Sequence, residues 1–291
     1  MRFLTALLIV LFVASVSAQS AGPNKSGPSP RKPPIVISAG KNGNFGWYHG
    51  DVGPFWSYLN VWDPPRASSY AIEIGNDPSS YPDGTVMKWS FPTSLNGTSN
   101  VYAYPDIVYG VLGGGLPPTP AHRPRPVRLG SLPRDFSLTF NVTLNAGADD
   151  QDLLIETWPT SVPNPENPIS VHDSRTREVG VFAHTPPYLL NFLLTLPNHL
   201  NYSAGRFHAY IVEHPQSPPF IIIIPVTAPG GTTPVDMIGA THEIPFGDLL
   251  RFLIAKGMLD PQNYITGCQF GFEIGRGSGD ARINFIRWHW K

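Results

Sequence analysis

Cysteine is almost absent: Cys268 stands alone among 291 residues, which excludes an intrachain disulfide framework and a cysteine zinc cluster. Core size, not covalent cross-linking, must hold the chain together. Charge is scarce as well, at 14% of residues with a net charge of −1. Nucleic-acid binding rests on a basic surface that replaces counterions, and no such surface is supplied. Arg123, Arg125 and Arg128 lie among prolines and read as a solvated loop. Past the N-terminus no apolar run is long enough to cross a bilayer, which takes about 20 residues. Phe220 to Val226 suits a buried strand.

Several chemistries are missing their parts. His242-Glu243 begins like a metalloprotease H-E-x-x-H, but position 246 is Phe, so the second ligand is lacking. The nine histidines show no paired spacing, and His184 and His289 read as hydrogen-bonded structural residues. Ser278 lacks the G-x-S-x-G spacing of a nucleophile elbow. Gly113, Gly114 and Gly115 lead into prolines, not into a phosphate-binding helix. No metal, cofactor, nucleic-acid or membrane partner is expected, and the chain is expected to be a monomer.

What is present begins with a three-part N-terminus. Arg2 precedes an apolar run from Phe3 to Val16 and the small-residue stretch Val16-Ser17-Ala18, the layout of a secretory signal peptide cleaved after Ala18. Residues 19–34 are rich in Pro, Ser and Gly and cannot bury enough surface to offset their ordering entropy. The expected organisation is a signal peptide (1–18), a disordered leader (19–34) and one domain (35–291), secreted to the extracellular space. Asn24, Asn96, Asn141 and Asn201 each begin an N-x-[ST] triplet that could carry a glycan.

Thirty-three prolines and 28 glycines break the chain into short segments. Most alternate apolar and polar residues. In 136–144, Phe136, Leu138, Phe140, Val142 and Leu144 share one face, and polar residues take the other, the pattern of a half-buried strand. Similar segments occur at 56–62, 70–75, 85–91, 106–112, 152–158, 206–213, 219–226, 265–274 and 281–290. Phe246, Leu249, Leu250, Leu253 and Ile254 have helical spacing, ended by Gly257. Residues 188–196 fit a strand or a helix. The expected fold class is all-β, a two-sheet antiparallel β-jelly roll (sandwich) with an open concave cleft and one short helix.

Strand 265–274 holds the first candidate for chemistry. Thr266, Cys268, Phe270, Phe272 and Ile274 suit a core, which turns Gly267, Gln269, Gly271 and Glu273 the other way. Glycine inside a strand marks close approach by a ligand or by backbone. A solvent-facing glutamate would give the same pattern. On 152–158, Asp152, Leu154, Glu156 and Trp158 share a face, so an acid and an indole lie side by side. Sugars are bound that way, with a ring stacked on an aromatic and a carboxylate on hydroxyls or the glycosidic bond. Tyr58, Asn60 and Trp62 alternate onto one face, making Asn60 and Trp62 candidate substrate contacts.

With these residues in place, the chain resembles the family 12 glycoside hydrolases, secreted β-1,4-glucanases and xyloglucanases. Gln269-Phe270-Gly271-Phe272-Glu273-Ile274, before a Gly-rich turn, resembles the family's Q-A-G-T-E-P. Gly247-Asp248-Leu249-Leu250 through Asn263-Tyr264-Ile265-Thr266 resembles its helix and following strand. Asn60-Val61-Trp62, Tyr102-Ala103-Tyr104-Pro105-Asp106 and Pro168-Ile169-Ser170 resemble its N-x-W, K-S-Y-P-N and a cleft loop. The resemblance covers 45–290 with an insertion around 172–202. It implies a jelly roll with a long open cleft and a retaining double displacement, with Glu273 as general acid/base.

The strand the family writes Y-E-I-M-I-W departs from the pattern. Anchored on Trp158, it puts Leu154 at the nucleophile position and Glu156 one strand repeat, roughly 7 Å, further along. The family's supporting aspartate falls on Asn141, which would then face the cleft. The function expected is an endo-acting glycoside hydrolase on a β-linked cell-wall polysaccharide, β-glucan or xyloglucan. Glu273 and Glu156 would be catalytic, and Asn60, Trp62, Trp158, Gln269 and Asn141 would contact substrate. Leu154 keeps open a second possibility, a non-catalytic carbohydrate-binding protein. A polysaccharide lyase would need basic and Tyr or His groups in the cleft.

Overall fold

A computed structural model describes residues 33–40, 47–49, 54–61, 70–93, 101–111, 125–146, 150–163 and 172–289. The expected signal peptide, nearly all of the leader, Asn96 and Trp62 lie outside the described residues. The strands are β1 (Ile35–Gly40), β2 (Trp47–His49), β3 (Phe55–Tyr58), β4 (Ala71–Asn76), β5 (Val86–Phe91) and β6 (Asp106–Gly110). Next come β7 (Val127–Arg128), β8 (Ser137–Ala146), β9 (Gln151–Thr157), β10 (Glu178–His184), β11 (Leu200–Ala204) and β12 (Phe207–His214). The last are β13 (Phe220–Val226), β14 (Thr241–Ile244), β15 (Tyr264–Ile265), β16 (Gly267–Ile274) and β17 (Gly277–His289). Helices α1 (Pro187–Leu193) and α2 (Phe246–Ala255) interrupt them.

Two sheets dominate. One runs β1-β4-β5-β17-β8-β14 and the other β11-β12-β13-β10-β9-β16-β6-β3-β2. All neighbours are antiparallel except β10 and β13. The core lies where the alternation placed it. Leu138, Phe140 and Val142 of β8 meet Leu153 and Ile155 of β9 and Phe270 and Phe272 of β16, all buried. The Phe140 and Phe270 rings meet edge to face, centroids 5.2 Å apart. Helix α2 turns Phe246, Leu249, Leu250 and Leu253 to this core, and each such side chain stabilises by about 1.5–3 kcal/mol.

Two stretches are resolved by the fold. The segment left between strand and helix is α1. The stretch expected as an insertion, 172–202, contains a strand: Glu178–His184 forms β10 between β9 and β13. Val179, Val181 and Ala183 face the core from β10, so a central strand occupies part of the stretch.

Cross-strand register divides the outer face of the nine-stranded sheet, the face turned away from the core. Over β12, β13 and β10 it presents Val212, Ile222, Ile224 and Phe182, which are buried beneath leucines of α1 and the following turn. Over β9, β16, β6 and β3 it presents Asp152, Glu156, Gln269, Glu273, Asp106 and Tyr58. Gly271 is the hinge of this second half. A Cβ there would overlap the Pro105 carbonyl oxygen and come within 2.7 Å of the Asp106 Cβ. The close approach marked by this glycine is therefore of backbone, the segment that carries Tyr104 and Asp106. Replacing Gly271 by Ala is expected to destabilise the protein by about 1–3 kcal/mol through overpacking, read as a lower denaturant midpoint; an unchanged midpoint would show that the segment is free to move.

Candidate active site

Three rows of side chains cross the outer face. In the first, Trp56, Val108, Gln269, Glu156 and Gly180 are successive cross-strand partners. In the second, Tyr58, Asp106, Gly271, Leu154 and Phe182 are. The third pairs Glu273 with Asp152. On its other side lies Tyr104, held by the bonds from the Phe272 and Ile274 N–H groups to the Pro105 and Ala103 carbonyls. Directly opposed side chains on one face have Cβ atoms about 4.5–5.5 Å apart. Glu273 therefore faces Asp152, and Glu156 stands on the far side of the Leu154–Gly271 row.

The rows gather five carboxyl groups. Asp106, Asp152 and Glu156 are at most 3% exposed, and Glu178, at the start of β10, is 9% exposed. Asp106 Oδ1, Asp152 Oδ1 and Glu156 Oε1 have no hydrogen-bond partner. Burial is the first cause acting on each, because desolvation disfavours the charged form. It pushes Glu273 up to about 8, helped by the negative charge of Glu178. Glu156 is raised well above the carboxylate range by burial, by the charge of Glu178 and a hydrogen bond with it, and by the charge of Glu273. Asp152 is raised by burial and then by Glu273. Asp106 is raised by burial against the pull of the Asn60 amide.

Glu178 differs from the other four. Burial raises it too, but Glu156, the Arg175 guanidinium, the Gln216 amide and His214 all favour its carboxylate. Gln216 Nε2 donates to Glu178 Oε2 at 2.7 Å. The cluster thus separates into groups that burial raises well above the carboxylate range and one, Glu178, that is raised less because donors and a cation favour its charged form. Such a separation is what acid–base chemistry at neutral pH requires. The Tyr104 phenol donates to the Leu154 carbonyl at 3.0 Å. Burial and the charges of Glu156, Asp106, Glu273 and Asp152 keep it protonated.

The expected contact residues have mixed fates. Gln269 is inside the cluster, accepting from Trp158 Nε1 at 2.9 Å and donating to Asp106 Oδ2 at 3.4 Å. Asn60 donates to the same Asp106 oxygen at 3.5 Å from a left-handed backbone (φ 45°). That conformation breaks the strand alternation assumed for 58–62. Trp158 is half-buried, with the Arg175 guanidinium 4.5 Å over its ring, so a cation already covers one face. Asn141 is a correction: β8 belongs to the six-stranded sheet, and Asn141 bonds Thr241 and Asn284 there. The strand before β9 in sequence is not its neighbour in space; β10 and β16 are.

Sequence reasoning left Asp106, Asp152, Glu178, Tyr104 and Arg175 out of the site. Tyr104 and Asp106 were visible in the Y-P-D echo of the family's Y-P-N, and Asp152 on the face it shares with Glu156. Glu178 was hidden inside the supposed insertion. Among the described residues no group of His, Cys, Asp and Glu is arranged to hold a metal ion. A separate cavity of about 480 Å³ lies between the β11–β12 hairpin and β14, away from the carboxyl groups.

No family model matches the chain, and no curated protein matches its sequence. Solved structures do. A family 12 xyloglucanase from Bacillus licheniformis superposes with a TM-score of 0.65 at 16% identity, covering 88% of this chain and 100% of that one. A metagenome-derived family 12 endoglucanase gives 0.63 at 16% identity, covering 89% and 100%. Endoglucanase 3 from Trichoderma harzianum gives 0.58 at 13% identity, covering 93% and 100%. The chain has the jelly-roll fold of these glycoside hydrolases.

The carboxyl cluster sets the pH dependence of stability. A carboxyl whose folded pKa is raised binds more protons folded than unfolded, so stability falls with rising pH. For Glu273 the loss runs from its ordinary value of 4.5 to about 8, and the other four act in the same direction. The melting temperature is expected to be highest near about pH 4–5 and to decline through about pH 8. A flat or rising profile over that window would mean that the cluster is not desolvated.

Proposed function

We propose that this is a secreted glycoside hydrolase that cleaves a β-linked cell-wall polysaccharide, a β-glucan or xyloglucan. The observation that carries the reading is Glu273, which stands on the outer face of this fold opposite Asp152 and across the Leu154–Gly271 row from Glu156, where burial pushes it up to about 8. Glycoside hydrolysis needs one carboxylic acid to protonate the leaving oxygen and a second carboxyl as nucleophile or base. Glu273 is the acid. Glu156 is the second group, hydrogen-bonded to Glu178, whose charged form is favoured by the Arg175 cation and the Gln216 amide donor. Asn60, Gln269 and Trp158 orient the sugar, Gln269 by fixing both Asp106 and the indole. The neighbours named as xyloglucanase and endoglucanase supply the substrate class.

A second reading has one observation in its favour. Leu154 occupies the position where the resemblance puts the nucleophile, and it is 1% exposed within an apolar cluster. A carbohydrate-binding protein that lost its nucleophile would look the same at that position. A reducing-sugar assay across glucan, xyloglucan, mannan and xylan, run beside a binding pull-down, separates the two. Sugar release supports the hydrolase; binding to any of the four without release supports the other reading.

Glu273→Gln is expected to lower hydrolysis on the order of 10²–10⁴-fold. The same change removes a carboxyl that is costly to ionise, so the variant should melt no lower than the parent near neutral pH. Undiminished hydrolysis in a folded variant would sink the assignment. Hydrolysis by the parent should fall as pH rises through about 8, where Glu273 loses its proton.

A further inference from the structure

We propose that Phe192 of α1 and His214 of β12 form a sugar-binding subsite beyond the carboxyl cluster, where one ring of the polysaccharide stacks after passing Glu178. This rests on the reading that the outer face takes a polysaccharide, and it names where that chain of sugars runs on. Helix α1 lies in the stretch that the resemblance leaves as an insertion, so the subsite is particular to this protein.

A polar strip leads there from the candidate active site. Glu156 and Glu178 share a hydrogen bond. Glu178, Phe220 and His214 are successive cross-strand partners on β10, β13 and β12, which puts His214 two strand spacings, roughly 10 Å, from Glu178. Gln216 joins the two. Its N–H donates to the His214 carbonyl at 2.9 Å, and its side-chain amide donates to Glu178 at 2.7 Å. One row further along the same strands Ile222 and Val212 are buried, whereas Phe220 and His214 are only partly so and Gln216 is exposed. Solvent therefore reaches the row that ends on His214 where its neighbour is covered.

Phe192 stands at the end of the strip. Its helix turns Leu189, Leu190 and Leu193 onto the sheet and leaves Phe192 50% exposed, the most exposed aromatic side chain among the described residues. A single exposed apolar side chain is ordinary by itself. This one lies against His214, ring centroids 6.5 Å apart and planes at 55°, and the Nδ1 of that imidazole has no hydrogen-bond partner. An aromatic surface with a few polar groups beside it is what orients a small polar ligand. The phenyl ring takes the C–H side of a sugar, and His214 and Gln216 take its hydroxyls. The neighbouring Asn191 and Gln216 are polar and exposed. The apolar surface thus falls well below the roughly 800 Å² per partner that a stable protein interface buries, which favours a sugar as the occupant.

The test compares the intact protein with Phe192→Ala and Phe192→Trp on whichever of glucan, xyloglucan, mannan or xylan it hydrolyses. The subsite predicts that Phe192→Ala raises KM about three- to tenfold with kcat unchanged, the pattern of binding lost equally from substrate and transition state. Phe192→Trp keeps the parental KM, and both variants keep the parental melting temperature because the ring is half in water. An unchanged KM in Phe192→Ala, or an equal rise in Phe192→Trp, overturns the subsite and leaves the hydrolase reading standing. Where none of the four polymers releases sugar, the hydrolase reading falls, and the same variants are compared by pull-down. Weaker binding of Phe192→Ala alone then upholds the subsite, and binding equal to the parent overturns it. Binding to none of the four overturns both.

Discussion

Five carboxyl groups share one face of one sheet with little water around them, and the rest of the site follows from what that costs. An ionised carboxylate in such surroundings is unfavourable unless donors or cations replace its hydration. Glu178 has them in Gln216 and Arg175. Asp106 has two amide donors, from Asn60 and Gln269, on one oxygen and none on the other. Asp152, Glu156 and Glu273 hold their protons. The outcome is a set of carboxyl groups all raised by burial, Glu178 least, on a face where a substrate oxygen could accept a proton from Glu273.

That arrangement depends on two glycines for different reasons. Gly271 lets the Tyr104–Asp106 segment cross close enough to bring Asp106 under Gln269 and Asn60. Gly180 makes room for Leu154 and Phe220. One therefore builds the polar half of the outer face and the other seals the apolar half. All seven residues of β9 are buried: Leu153 and Ile155 face the core, Asp152 and Glu156 the carboxyl cluster, and Leu154 the apolar cluster under α1.

Much of this was legible in the residue pattern. Period-two alternation located β8, β9, β16 and β17, and helical spacing located α2, because those elements bury one face against a single large core. Glu273, Glu156 and Gln269 follow directly, since a strand with one core face must turn its other residues outward. What stayed hidden was long-range. Asn141 was placed in the cleft because the resemblance puts the family's supporting aspartate there, yet β8 and β9 belong to different sheets. Glu178 lay unseen because β10 was absorbed into an insertion, although Val179, Val181 and Ala183 alternate as a strand should. The unbroken apolar run of β13 did signal burial on both faces, but not that α1 would supply the second cover.

The central claim is that burial and neighbouring charge keep Glu273 protonated at neutral pH. Its most direct test is a titration of the carboxyl carbons by NMR in labelled protein, with Glu273→Gln identifying the resonance. The account requires that resonance to titrate at about 8. A midpoint at the ordinary 4.5 of a solvated glutamate would contradict it and remove the acid from the proposed reaction.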